Sequence, residues 1–276
     1  TASRWAFEFQ GPIRQPNGWV DPLSYDKTSQ SAYEIAYSNG LGVQIYGDNQ
    51  LPLDGSIAEF VAKHPIMIVH SLYIASDGVL AFARRYAEAG GNLVLTPRTG
   101  FAKPNNVIRV ETQPAGFVDV VGNYNEFSQL SKPCSVVTTS GTHVGNGYGW
   151  LDELNPIEGA EVSLRLDHPF FGEFAALTKV KIGKGTVRYI AVYPDAELSK
   201  YIGAELAVEI GFTSPITASS ESVIVNRAEL ADGRTAYFVF NWSWQLAQLK
   251  FARELTAVID ETPGEISAWG VSVFTD

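Results

Sequence analysis

The chain has 276 residues, enough for one large domain or two modest ones, and its 45% hydrophobic and 18% charged composition excludes a disordered polymer. A formal charge of −10 excludes a phosphate-neutralising surface, which needs clustered Lys and Arg. The longest apolar runs have strand length, which predicts neither a transmembrane helix nor a signal peptide, and the lone cysteine, Cys134, excludes an internal disulfide and suits a reducing, cytoplasmic setting.

In chain order, an aromatic segment, Trp5-Ala6-Phe7-Glu8-Phe9, precedes a Pro/Gly/Asn-rich loop from Gln10 to Asp21. A helix is predicted from about Tyr25 to Ser38, closed by Asn39-Gly40, and then a short strand, Val43-Gln44-Ile45-Tyr46. Residues 65–100 read as strand, helix, strand. Ile66 to Val69 form a continuous apolar run, as expected of a parallel strand covered on both faces. Ser76-Asp77 supplies cap oxygens for a helix whose apolar positions Val79, Leu80, Phe82, Ala83, Tyr86 and Ala87 recur at helical spacing. Gly90-Gly91 stops it, and Leu93-Val94-Leu95 returns as the next strand. Such a unit predicts an α/β fold, and ligands in these sheets sit at carboxyl strand ends, here Ser71-Leu72-Tyr73 and Pro97-Arg98-Thr99. No nucleophile, metal cluster or phosphate loop stands at either place.

From Val118 to Leu130 the pattern fits helix or loop, and Ser135 to Thr138 reads as extended. Gly141–Gly149 reads as a glycine-rich loop before a short helix, Trp150–Leu154. Strands follow at Glu161–Leu166, Ala175–Ile182 and Thr186–Val192, the last two joined by a hairpin turn at Gly183-Lys184-Gly185. A helix, Ala196–Ile210, ends at Gly211. Thr213–Ser220 is a small-residue linker, and beyond it only strands are predicted, with a turn at Asp232-Gly233. The expected organisation is an α/β domain, residues 1–213, and a small antiparallel β domain, residues 214–276.

Candidate chemistry is sparse. Cys134 would serve an amidotransferase-like hydrolase only on a sharp strand-to-helix turn beside a His and an acid. Here Pro133 precedes it and an extended segment follows, so it reads as a buried, inert thiol. His64, His70, His143 and His168 are scattered, with no metal-ligand spacing, and predict no metal site. Gly145-Asn146-Gly147-Tyr148-Gly149 lacks the strand and long helix of a phosphate loop, so no cofactor is expected. Asn241-Trp242-Ser243 is a chance sequon at a strand end. Asp152-Glu153 and Asp260-Glu261 are sequence neighbours, which does not set two carboxylates across a glycosidic bond; they read as solvated acids. Six tryptophans, Trp5, Trp19, Trp150, Trp242, Trp244 and Trp269, fit core packing, subunit contacts or sugar stacking. A free-standing carbohydrate-binding module is therefore a competing expectation. The chain starts at Thr1 and its only methionine, Met67, lies in a predicted core strand, so it reads as a piece of something longer, with signal-peptide cleavage as the competing explanation.

Several segments occur in an order that resembles the C-terminal portion of glycoside hydrolase family 42 β-galactosidases. They are Ser3-Arg4-Trp5-Ala6, Pro65–Ser76 with Leu72-Tyr73, Ala87–Gly91 followed by Leu93–Gly100, and Trp150–Leu154 with Gly159–Val162. Gly183-Lys184-Gly185, Val225-Asn226-Arg227, Tyr237–Asn241 and Trp269-Gly270-Val271 complete the series. The resemblance implies a flavodoxin-like or amidotransferase-like α/β trimerisation domain without a triad, followed by a small β domain. It implies a homotrimer, and a TIM-barrel domain earlier in the same polypeptide that carries two catalytic glutamates and binds the β-galactoside. The whole enzyme would hydrolyse terminal β-D-galactosides with retention. No catalytic residue is carried over to this chain. Tyr73 and Arg98, at predicted strand ends, stand as candidates for the trimer surface. The family's first, central strand would lie just before Thr1, and lacking it would cost the sheet an amount comparable to a domain's whole stability.

Overall fold

The computed structural model describes residues 2–15, 17–259 and 264–276. The chain divides into two units, residues 1–32 with 45–201, and residues 33–44 with 202–276.

The first unit is built on one nine-stranded sheet. Helix α1 (Ala2–Gln10) opens the chain, followed by α2 (Ser24–Tyr37), a 3-10 turn at Asp48–Gln50 and α3 (Ile57–Lys63). Strand β1 (Ile66–Val69) leads through α4 (Asp77–Glu88) to β2 (Asn92–Leu95), with Met67 opposite Leu93 in parallel register. Ser76 caps α4 as its sequence predicts, accepting the Val79 amide at 3.2 Å, and the predicted apolar positions of that helix are all buried. A short α5 (Val118–Val121) and β3 (Phe127–Ser128) precede the antiparallel strands β4 (Cys134–Thr138), β5 (His143–Asp152), β6 (Glu161–Leu166), β7 (Ala175–Ile182), β8 (Gly185–Ile190) and β9 (Val192–Pro194). The order is β1-β2-β8-β7-β6-β4-β5-β3, with β9 on β5; β1, β2 and β8 run parallel and antiparallel strands extend them. Helix α6 (Ala196–Glu209) follows.

In the second unit, β10 (Ile216–Ala218), β13 (Ala247–Phe251) and β15 (Glu265–Ile266) form one antiparallel sheet. A second sheet orders β11 (Val223–Glu229), β12 (Thr235–Asn241), β16 (Val271–Thr275) and β14 (Thr256–Ile259) as β11-β12-β16-β14. Ile216, Val239, Leu249, Ile266 and Phe274, drawn from both sheets, bury one shared core. Among the described residues no helix is long and apolar enough to cross a membrane.

Several local expectations are corrected. Residues 43–46 form no strand: Ile45 is 81% exposed, and Tyr46 is held by its hydroxyl to His64 Nε2 at 2.8 Å instead of by a ladder. Strand β1 is half-buried along its whole length, not covered on both faces, because it is the edge of the sheet and only β2 pairs with it. The supposed glycine loop and short helix between 141 and 154 are one long strand, β5. Its glycines serve close approach: a Cβ on Gly145 would lie 2.4 Å from the Leu198 amide nitrogen, and one on Gly147 would lie 2.8 Å from Val192. The supposed linker contains β10, whose Ile216 is a core residue.

Candidate functional site

The carboxyl ends of β1 and β2, where the sequence places a ligand, hold a dense polar cluster. Two backbone positions there have positive φ in residues that are not glycine, Ser71 at 32° and Arg98 at 66°. The Ser71 amide donates to Thr96 Oγ1 at 2.8 Å, which in turn donates to the Val69 carbonyl at 3.2 Å. Ser71 Oγ and the Tyr193 hydroxyl share a hydrogen bond of 2.9 Å, and Tyr193 reaches the Pro97 carbonyl at 3.3 Å. These bonds over-determine the backbone that they strain.

Arg98 fills the space beyond the strand ends. Its guanidinium lies 4.2 Å from the Phe7 ring centroid, 4.3 Å from Trp150 and 4.9 Å from Tyr73, and Nη1 donates to the Gly11 carbonyl. A desolvated cation so enclosed exchanges water for ring quadrupoles and a carbonyl. Ala6, Phe7, Ile13, Ile74 and Ala102 close the surrounding apolar shell.

Asp152, at the end of β5, completes the cluster. It is fully buried; Trp150 Nε1 donates to Oδ1 at 2.9 Å and the Tyr189 hydroxyl to Oδ2 at 2.6 Å. Burial pushes its carboxyl up to about 6, against the lowering effect of these donors and of the Arg98 charge. Burial likewise raises the Tyr124, Tyr189 and Tyr193 phenols.

The arrangement has the address of a ligand site and the contents of a core. Arg98 is 2% exposed, Tyr73 1% and Asp152 0%, so no substrate reaches an acid, base or cation there. The cluster braces the strand ends. Tyr73 and Arg98 as candidates for a subunit surface are thus corrected: the cage that hides them comes from Phe7 and Trp150, remote in sequence. Asp152 as a solvated acid is corrected too, while Asp260 and Glu261 lie outside the described residues.

Cys134 is buried at the start of β4, opposite Gly147 in mid-sheet, and not on a strand-to-helix turn. Burial, with Asp167 nearby, pushes its thiol up, opposite to the need of a nucleophile. Of the histidines, His70 is half-buried, with Nε2 3.0 Å from Ser29 Oγ, and desolvation lowers it to about 4. His143 Nδ1 lies 2.9 Å from Ser135 Oγ and its Nε2 3.9 Å from Glu197, an exposed string of groups on the sheet surface. His168 Nδ1 accepts two backbone amides. Among the described residues no group of three or more His, Cys, Asp or Glu could hold a metal ion.

Among the exposed large hydrophobic side chains are two aromatic groups. On α1, Trp5 and Phe9 stack at 6.0 Å and are 66% and 79% exposed. On the second unit, Trp242, Trp244 and Trp269 form an exposed group, with Trp244 and Trp269 edge to face at 5.3 Å. Sequence reading named these tryptophans without separating surface from core; the i, i+4 spacing of Trp5 and Phe9, flanking buried Ala6 and Phe7, is the signal that does.

Comparison with known proteins bears on this combination of a filled strand-end site and exposed aromatics. The family described as the β-galactosidase trimerisation domain matches residues 1–211. The β-galactosidase BgaA of Clostridium cellulovorans is 31% identical over 134 residues, 48% of this chain and 20% of that protein. BglY of Alicyclobacillus acidocaldarius is 22% identical over 283 aligned residues, 98% of this chain and 39% of that protein. In fold, the chain matches the cold-adapted β-galactosidase of Rahnella sp. R3 with a TM-score of 0.81 at 20% identity, over 99% of this chain and 39% of that one. The β-galactosidase of Bacillus circulans sp. alkalophilus gives 0.76 at 20% identity, over 92% and 38%. The chain thus spans between a fifth and two fifths of the proteins it resembles.

Proposed function

The chain belongs to the family of β-galactosidase trimerisation domains, and from that premise we propose that it is the assembly region of a homotrimeric β-galactosidase. Catalysis belongs to a TIM barrel elsewhere in the polypeptide, whose two glutamates hydrolyse terminal β-D-galactosides with retention through a covalent intermediate. The assembly domain in this proposal is residues 1–213, a bound supported by the family match that ends at residue 211, and residues 214–276 are the β domain, although residues 33–44 and 202–213 cluster with the β strands in the fold. The lone cysteine suits a cytoplasmic enzyme.

One observation carries the non-catalytic reading: at the strand ends, where an enzyme of this architecture would bind substrate, Arg98 and three aromatic rings occupy the space themselves. Binding energy in such a domain is available at its surface, for other protein surfaces.

Two measurements test the function together. The chain alone should leave a chromogenic β-galactoside intact at millimolar substrate, and light scattering should give three chains per particle. A glutaminase activity abolished by Cys134→Ser would establish the amidotransferase-like alternative's nucleophile and sink the assembly reading, and a monomer at every concentration would remove the trimer.

A further inference from the structure

The dipeptide Asn-Gly occurs at Asn17-Gly18, Asn39-Gly40 and Asn146-Gly147. It is the pair most prone to lose its side-chain amide, because glycine has no Cβ to keep its backbone nitrogen away from the asparagine Cγ. The fold treats the three pairs differently, and the difference lies in whether that nitrogen can meet that carbon.

Two of them are locked. Asn39 follows α2, where its Nδ2 donates to the Ile35 carbonyl at 3.1 Å and the Gly40 amide donates to the Tyr37 carbonyl at 3.0 Å. A Cβ on Gly40 would lie 2.5 Å from the Val225 carbonyl oxygen, so the backbone there is tightly packed. Asn146 lies in β5 between β4 and β9, with Nδ2 donating to Asp195 Oδ2 at 2.8 Å. Extended backbone stands its side chain off the sheet, away from the next amide, and Val192 packs against Gly147.

Asn17 is exposed, in a hairpin formed by residues 14–20 and joined by the Arg14–Val20 bridge. The base of that hairpin is fixed, since the Asp21 amide donates to the carbonyl of buried Ile13 at 3.0 Å. Asn17 Oδ1 accepts the Trp19 amide at 3.0 Å. That bond closes a ring of atoms around the 17–18 peptide and draws Cγ toward the Gly18 nitrogen. The same N–H meets the oxygen on which charge develops when Cγ is attacked, as an oxyanion donor does. A Cβ on Gly18 would have nothing within 4 Å, so a cyclic intermediate has room to form. The Gly18 amide donates to the Gln15 carbonyl at 2.8 Å, but water replaces such a bond readily in an exposed turn.

We propose that Asn17 is a site of spontaneous deamidation, the one Asn-Gly pair that the native fold leaves reactive. Hydroxide takes the Gly18 amide proton and the nitrogen attacks Asn17 Cγ. The Cγ–Nδ2 bond breaks, ammonia leaves with a proton from water, and a five-membered succinimide remains. Water then opens the ring. Attack at Cγ gives aspartate; attack at the backbone carbonyl gives isoaspartate, whose main chain runs through Cβ and Cγ. In sum, amide and water become carboxylate and ammonium, with no electron transferred. Either product adds a negative charge to the hairpin. Isoaspartate also adds a methylene to the main chain, which disrupts the Arg14–Val20 bridge and shifts the Gly18 carbonyl that Arg14 Nη1 holds at 2.9 Å.

The test is incubation of the 276-residue chain in mildly alkaline buffer, native and in guanidinium chloride, followed by trypsin and mass spectrometry. Deamidation adds about one dalton, and electron-transfer fragmentation tells isoaspartate from aspartate. In the native chain the peptide Gln15–Lys27 should convert at least about tenfold faster than those carrying Asn39 and Asn146, a factor that one retained hydrogen bond can supply. In guanidinium the three rates should converge, because the dipeptide is the same. Asn17→Gln, which would need a six-membered ring, should leave that peptide unchanged over the same period. Asn39 or Asn146 converting as fast as Asn17 in the native chain overturns the inference. So does an Asn17 that persists in the native chain while the denatured chain reacts.

Discussion

Asp152, fully buried, and His70, half-buried with its ring desolvated, pull stability in opposite directions as pH changes. The Asp152 carboxyl is raised from its ordinary 3.8 to about 6, so the folded state holds the proton more tightly than the unfolded one. Its contribution is fully present below pH 4 and is lost as pH rises through 6, a swing of roughly 3 kcal/mol. The His70 imidazole is lowered from 6.5 to about 4, so its contribution is present above pH 6.5 and is lost as pH falls toward 4, again by roughly 3 kcal/mol. Between pH 4 and 6.5 the two offset each other. Asp152→Asn keeps an acceptor for Trp150 and removes the titration, so urea unfolding of that variant should show stability falling from pH 6.5 to 4. His70→Gln should show the reverse, greater stability at pH 4.5 than at 7. If both variants keep the wild-type pH profile, neither group titrates as its surroundings dictate. None of this is legible at the level of single residues in sequence. Asp152 looks like any loop acid until Trp150 and Tyr189 are seen to donate to it, and Arg98 looks like a surface cation until Phe7, Trp150 and Tyr73 enclose it.

Elements were legible where local pattern and tertiary role agree. The strand–helix–strand unit from Ile66 to Leu95 announces itself because its cap, its apolar period and its glycine stop all serve the same packing. Strand β5 is hidden because glycine there answers a long-range need, the approach of Leu198 and Val192, while its local meaning is a turn. Residues 43–46 read as a strand and are not one, because a strand is defined by its neighbour. Close backbone approach governs glycine within the second unit as well. A Cβ on Gly203 would lie 1.7 Å from the Ile35 carbonyl oxygen, so the helix backbones there touch directly, whereas one on Gly42 would make an ordinary contact with the Arg227 carbonyl at 3.7 Å. Gly203→Ala should cost about 3 kcal/mol through overpacking, despite the higher helix propensity of alanine. Gly42→Ala should change stability by less than about 0.5 kcal/mol. Thermal melts of both decide it: a Gly203→Ala variant as stable as wild type would mean that the two helices separate at little cost.

At the scale of the whole molecule, assembly must appear in stability as well as in mass. The architecture, an α/β sheet with flanking helices and a small antiparallel β unit, was legible from element order, since helix and strand signals alternate early and give way to strands alone after Thr213. The exposed surfaces were harder to read, because exposure is set by what the fold leaves over, and only its i, i+4 spacing with Phe9 separates Trp5 from buried Trp150 in sequence. A trimer that dissociates as it unfolds is stabilised by mass action, by about 0.9 kcal/mol per protomer for each tenfold rise in concentration, two thirds of the usual factor-of-ten increment. With an unfolding entropy near 2.1 cal/mol/K for each residue, a chain of 276 residues should gain roughly 3 °C in Tm over a hundredfold range. Calorimetry across that range tests this. A wild-type Tm that holds constant over the hundredfold range would mean either a monomer or a trimer whose contacts outlast the fold of its protomers, and the measured mass of the particle distinguishes the two.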